Sequence, residues 1–314
     1  MILQDFIIIN KTGLYCSYGD FYLDPKEPVF NAIISHAHGD HAVSGNQNVY
    51  CTKATQLFMQ HRYKKFAASN FEILPYHQVF NINGVNITFY PAGHILGSAM
   101  VLMEYQNVRY LYTGDYKVEA DETCEAIEFV QADVLITETT FANPEVKHPD
   151  ADEEIKKLNT VATNIMLGAY ALGKSQRLIS LINKHCPDKK ILVHHNIMPF
   201  VGIYEQQGIS LGNYQVYDRK IMKQQLEGNI YLVPPMVFNS YIRAINVVRV
   251  FATGWKYLQQ GNELHLYISD HVDWEGIIQT IEQVQPKEVW TLHGDGKQLQ
   301  AHFQNQLTVK ILNG

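Results

Sequence analysis

Residues 35–41 read Ser-His-Ala-His-Gly-Asp-His, and no other stretch constrains the chain so tightly. His36, His38, Asp40 and His41 bring imidazoles and a carboxylate into one short loop. The largely apolar residues 29–34 just before them read as a buried strand. A strand that ends in His-x-His-x-Asp-His aims these side chains at one small volume. Neutral imidazole and carboxylate are the donors a divalent transition metal prefers. The alternative, a surface loop that is merely His-rich, leaves the order of ligand types behind a strand unexplained.

With 314 residues and 46% hydrophobic content, the chain can build one large domain or two smaller ones. Its formal charge of −6 excludes a basic nucleic-acid coat. A polyanionic partner would need local positive charge or bound metal to offset that sign. The four cysteines, Cys16, Cys51, Cys124 and Cys186, are scattered and form no C-x-x-C pair. They read as reduced thiols of a cytoplasmic protein. The apolar residues 6–9 are too short for a signal peptide, and no stretch approaches a membrane span.

In chain order, residues 5–24 read as short antiparallel strands broken at Gly13 and Gly19. Residues 54–65 have helical spacing. Residues 79–82 and 85–90 flank Asn83-Gly84, which marks a hairpin because both turn residues must accept positive φ. His94 follows in a glycine-bounded loop. Residues 99–105 and 108–112 form a second hairpin that ends in Thr-Gly-Asp115, and residues 132–137 form a strand that ends at Glu138. Each of these strands ends at a group that binds metal or moves protons, and clustered strand ends are where sheet proteins build active sites. Residues 142–154 mark a linker, after which the pattern turns βαβ-like. The expected division is a first domain over 1–148, an inserted smaller α/β domain over 149–245, and the first domain resumed over 246–314. Two histidine-bearing loops close the chain, Ser269-Asp-His271 and Leu292-His293-Gly-Asp295.

Taken together, the His-x-His-x-Asp-His loop, His94, Asp115 and the terminal His293 resemble the metallo-β-lactamase fold. The Thr137-Glu138 step, the insert and Ser-Asp-His271 are similar to its nuclease branch, whose insert is called the β-CASP domain. Four stretches look closer still to the DNA-ligase-associated exonucleases. These are Gly13-Leu-Tyr-Cys-Ser-Tyr-Gly-Asp-Phe-Tyr22, Gly114-Asp-Tyr-Lys117, Ala169-Tyr-Ala-Leu-Gly-Lys-Ser-Gln176 and Ser269-Asp-His-Val-Asp-Trp274. The resemblance implies a four-layer α/β-β/α sandwich with metals at one rim. It implies one ion held by His36, His38 and His94, a second held by Asp40, His41 and His293, and Asp115 between them. It gives Glu138 a tautomer-fixing role towards a metal-bound histidine. His271 would contact the scissile phosphate or protonate the departing O3′.

Such a site suits phosphodiester hydrolysis by a two-metal-activated hydroxide, with zinc the first choice and manganese the second. The expected function is a DNA exonuclease in repair, working beside an ATP-dependent DNA ligase and a helicase. An RNA-processing nuclease of the same branch is the alternative, since the 2′-hydroxyl is read by side chains that no motif locates. A thioesterase- or lactamase-type hydrolase is a second alternative, and a non-catalytic nucleic-acid scaffold a third. Residues 168–175 match G-x-x-x-x-G-K-[ST], but their apolar middle continues a strand and argues against an NTPase phosphate loop. Lys174 and Ser175, at the helix start that follows, and His194 and His195, at a strand end, are candidate phosphate contacts.

Overall fold

The structure is a computed structural model that describes residues 1–218, 228–240, 247–294 and 296–312. The chain divides into two compact units. The first comprises Met1–Ala120, Cys124–Lys147 and His271–Gly314, and the second comprises Asp121–Thr123 and His148–Asp270. The fold is mixed α/β.

The first unit opens with β1 (Ile8–Asn10), β2 (Gly13–Cys16), β3 (Phe21–Leu23), β4 (Asn31–Ile33), β5 (Asn46–Cys51), α1 (Lys53–Tyr63) and β6 (Ala68–Ile73). These six strands lie side by side in chain order, antiparallel up to β3 and parallel beyond it. Next come β7 (Phe80–Ile82), β8 (Val85–Pro91), β9 (Ala99–Tyr105), β10 (Val108–Tyr112) and β11 (Val134–Glu138).

The two expected hairpins form where the turn chemistry placed them, β7–β8 and β9–β10. Asn83 and Gly84 in one turn, and Gln106 and Asn107 in the other, all adopt positive φ, which matches the right-handed twist of the strands they join. In β9, Ala99, Val101 and Met103 enter one apolar cluster while Met100 and Leu102 enter another. The strand is covered on both faces, so its sequence is a continuous apolar run without alternation.

The second unit holds β12 (Asn164–Gly168), β13 (Lys190–Val193), β14 (Gln215–Val216), β15 (Asn229–Val233), β16 (Val247–Ala252) and β17 (Leu264–Leu266). Its helices are α2 (Ala151–Lys156), α3 (Lys174–His185), α4 (Met198–Gln206) and α5 (Pro235–Ser240). The strands form one parallel sheet in the order β14-β13-β15-β12-β16-β17. This differs from the expected resumption of the first domain at residue 246. Both β16 and β17 pair within the insert's sheet, β16 directly against β12. An apolar run shows that a strand exists, but the choice of sheet is made by long-range pairing.

The chain then returns to the first unit with α6 (Trp274–Val284), β18 (Glu288–Leu292), α7 (Lys297–His302) and β19 (Thr308–Ile311). Both strands join the second sheet, which runs β19-β18-β11-β10-β9-β8-β7. The main core draws Phe21, Leu23 and Ile33 from the first sheet and Phe89, Tyr110, Ile136 and Trp290 from the second. Ile277, Ile281 and Val284 recur at helical spacing on α6 and pack with Leu102, Leu111 and Leu135. Among the described residues the four cysteines form no disulfide, and no helix is long and apolar enough to cross a membrane.

Candidate metal centre

Five strands of the first unit deliver the polar cluster. β4 runs into Ser35 and His36, β8 into His94, and β10 into Asp115. β11 ends on Glu138, and β18 is followed by His293. Gly114 shows how closely these ends approach. Its φ is 56°, and a Cβ there would lie 2.6 Å from the Ser35 hydroxyl, so only glycine fits the turn into Asp115.

His36, His38, His94 and Asp115 form one group whose ligand atoms all lie within 4.8 Å of one another. His36 and His94 are buried. The His36 Nδ1 lies 3.0 Å from the Ser35 hydroxyl, whose own proton goes to Asp24 at 2.5 Å. The Ser35 oxygen therefore accepts from Nδ1–H, and the lone pair of His36 is left on Nε2. That Nε2 is buried without a hydrogen-bond partner and stands 3.6 Å from Asp115 Oδ2. Burial first, then the neighbouring His41 and His94, push the His36 pKa well below the usual imidazole range. The shift favours the neutral ring, the form in which an imidazole binds a metal; a ring that starts protonated releases its proton on binding.

His38 Nδ1 and His94 Nε2 face each other at 3.1 Å. Two ring nitrogens converge on the same spot as the bare Nε2 of His36. An orphaned imidazole beside convergent nitrogens and a carboxylate is the donor set of a divalent transition metal. The residues present fit such an ion.

His41 is oriented by a residue that the sequence reading missed. Asp24 accepts from His41 Nδ1 at 2.9 Å, from the Ser35 backbone N–H at 2.7 Å and from the Tyr112 hydroxyl at 2.9 Å. It turns His41 Nε2 towards Asp115 Oδ2, 3.3 Å away. Burial opposes charge on His41, but Asp115 and then Asp24 outweigh it and hold the pKa well above the usual range. Asp115 sits well below the carboxylate range, because His41 and then His271 overcome its own desolvation. Asp24 ends an apolar strand just as Glu138 does, and that shared position was the signal available in the sequence.

Asp40 and His293 lie at the margin of this cluster. The Asp40 side chain is 80% exposed, with Oδ2 3.9 Å from His41 Nε2. The exposed His293 has its ring centroid 5.6 Å from that of His41, and its φ of 52° is held where β18 ends. Asp295 lies outside the described residues.

Glu138 is buried and accepts from the Tyr116 backbone N–H at 3.1 Å. Its carboxylate also meets His271 Nδ1 at 3.1 Å, and His271 Nδ1 stands 3.9 Å from Asp115 Oδ2. Glu138, His271 and Asp115 thus make a second tight group. Asp273 accepts from the Gly276 backbone N–H at 3.0 Å and caps α6.

The remaining candidates lie in the second unit. Lys174 is buried at the start of α3, with Nζ 2.9 Å from Asp270 Oδ1 and 2.6 Å from the Ile268 carbonyl. The Ser175 hydroxyl donates to the Tyr170 carbonyl at 2.7 Å. Both side chains are engaged with the unit's own interior. His194 and His195 follow β13 with ring centroids 4.0 Å apart, and His194 Nδ1 accepts from the Asn196 backbone N–H.

No protein-family model matches the chain. A protein from Opitutus terrae named "Probable DNA ligase" is 30% identical over 302 residues, covering 90% of this chain and 28% of that one. An Arabidopsis thaliana protein, "Cleavage and polyadenylation specificity factor subunit 3-I", is 27% identical over 60% of this chain and 33% of its own length. "Endoribonuclease YSH1" from Eremothecium gossypii is 32% identical over 36% of this chain and 16% of its own. The chain therefore spans a third or less of each of these relatives. A crystal structure of a protein of unknown function from Enterococcus faecalis V583 shares the fold, with a TM-score of 0.61, 13% identity, and coverage of 90% of this chain and 79% of that one. The histidine and aspartate cluster at the strand ends and the similarity to these relatives agree with the resemblance to the metallo-β-lactamase fold and its β-CASP branch.

Proposed function

We propose that the chain hydrolyses phosphodiester bonds of nucleic acid, as a DNA exonuclease in repair, with two divalent ions of which zinc is preferred to manganese. The observation that carries this reading is the bare Nε2 of His36 among His38, His94 and Asp115. In this reading His36, His38 and His94 hold one ion, Asp40, His41 and His293 hold the other, and Asp115 serves both. Such ions supply Lewis acidity and bring the pKa of water near 7. The proposed frame is the four-layer sandwich of this fold, in a cytoplasmic protein.

His271 supplies the proton chemistry. Glu138 receives its Nδ1–H and orients the ring, so that in this reading Nε2 protonates a departing O3′ or grips the scissile phosphate. The DNA preference, and a partnership with a ligase and a helicase, rest on the Opitutus relative's name and on the sequence resemblance. The relatives named as endoribonucleases favour the second reading, RNA processing at the same site.

The test is a cleavage assay on matched DNA and RNA oligonucleotides labelled at either end, with zinc or manganese and an Asp115→Ala control. Stepwise shortening of DNA, absent in the control, supports the reading. Selective RNA cutting supports the second reading. Failure to cut either, by protein carrying two ions, sinks both.

A further inference from the structure

The chain carries −6 overall, yet residues 61–66 read His-Arg-Tyr-Lys-Lys-Phe. They form the last turn of α1 and the short 3-10 turn Lys64–Phe66 behind it. Three hydrogen bonds lay this segment along the loop that bears His36, His38, Asp40 and His41. The Arg62 guanidinium donates to the carbonyl of Ala37, between His36 and His38, at 2.5 Å. The Tyr63 hydroxyl donates to the Ala42 carbonyl at 2.7 Å, and the Gly45 N–H donates to the Phe66 carbonyl at 2.8 Å.

Lys64 and Lys65 are exposed, and the Phe66 ring is 66% exposed with the Lys65 ammonium 5.1 Å from its centroid. No ion pair joins Arg62, Lys64 or Lys65 to a carboxylate among the described residues. Lys64 occupies φ 55° and ψ −129°, a conformation that favours glycine, and it is held there as an exposed cation. The neighbouring His61 is pushed towards neutrality by burial and then by Lys64 and Arg62, which reports the positive potential of the segment. Within that ligand loop Gly39 faces open space, since a Cβ at this position would meet nothing within 4 Å.

Three unneutralised cations beside an exposed aromatic ring, in an acidic protein, match a backbone-tracking groove with a stacking platform. We propose that residues 62–66 are a track for a single polynucleotide strand, which they lead along the ligand loop. Lys64 and Lys65 meet successive phosphates, and Phe66 stacks on one base. Arg62 ties the track to the loop through Ala37. This deepens the proposed function and rests on it for the identity of the ligand, a nucleic-acid strand.

The test separates the two. Anisotropy of a fluorescein-labelled 20-nucleotide single strand, DNA in one arm and RNA in the other, is read with metal-stripped protein between 50 and 200 mM salt. Lys64→Gln with Lys65→Gln removes two phosphate contacts. The slope of log affinity against log salt is expected to flatten by about 1.4. Phe66→Ala is expected to weaken binding about tenfold. Lys53→Gln, at the far end of α1, is the charge control and is expected to change neither. Unchanged slope and affinity in the double variant overturns the track, as does an equal loss in the Lys53 control. Because all these side chains are exposed, melting temperatures should match the wild type. If the variants lose binding while the wild type cuts no nucleic acid, the track stands and the nuclease reading falls. If the wild type cuts and the double variant binds unchanged, the track falls alone.

Discussion

Each unit buries a cluster of polar side chains, and the two clusters are completed in opposite ways. In the insert, Lys174 and Arg177 face Asp270 at 2.9 and 3.2 Å, and Arg177 Nε faces Asp121 at 3.5 Å. Carbonyls complete the shell, Ile268 for Lys174 and Ser269 for Arg177. Cations meet anions there, and donors meet acceptors. In the first unit, His36 Nε2 has no partner, and the nitrogens of His38 and His94 point at each other. Burial is deep in both, His38 being half-buried, so burial does not separate them. What differs is whether the protein closes the set by itself. A closed buried cluster is structural, whereas the bare Nε2 of His36 leaves the other with the donor set that suits a divalent ion.

That contrast can be broken most directly at Asp115. Asp115→Ala should abolish cleavage, a loss beyond the 10- to 100-fold typical of residues that merely orient ligands, and should lower bound metal measured by mass spectrometry of the native protein. If the variant keeps both metal and activity, the open cluster is not the site. His271→Ala should lower cleavage by about 10²- to 10⁴-fold while metal content stays at the wild-type level. Loss of metal together with activity would instead make His271 a ligand.

The closed cluster should respond in stability. Arg177→Met leaves Asp121 and Asp270 short of a cation, and breaking a buried pair costs about 3–5 kcal/mol, read by urea denaturation. A change within about 0.5 kcal/mol would show that the insert does not depend on the pairing. The smallest of these effects is expected at Asp24. Asp24→Asn keeps the shape but loosens the hold on His41, and should weaken metal affinity about 10- to 100-fold in a chelator competition. Unchanged affinity would remove Asp24 from the centre.

Where the sequence was legible, the information was local. Asn83-Gly84 placed a hairpin because the turn itself demands positive φ. The helix over residues 54–65 was visible in its period, and α1 ends at Tyr63 before the 3-10 turn. Strands β5 and β6 were missed. Asn46, Asn48 and Asn70 interrupt their pattern, and these asparagines pair with one another or with Asn31 and the backbone across the sheet. Asp270 and Asp273 look equivalent around His271 in the sequence. The structure gives one to Lys174 and Arg177 and the other to the cap of α6.

By itself, then, the sequence determined the kinds of candidate ligand and their order along the chain. A His-x-His-x-Asp-His loop behind a strand has its chemistry written within a few residues. Only the tertiary structure decided the company those ligands keep. It brought Asp24 across to His41, set Glu138 against His271, and sent β16 and β17 into the insert's sheet. Those choices depend on pairing and packing between residues far apart in the chain, and no local pattern carries that information.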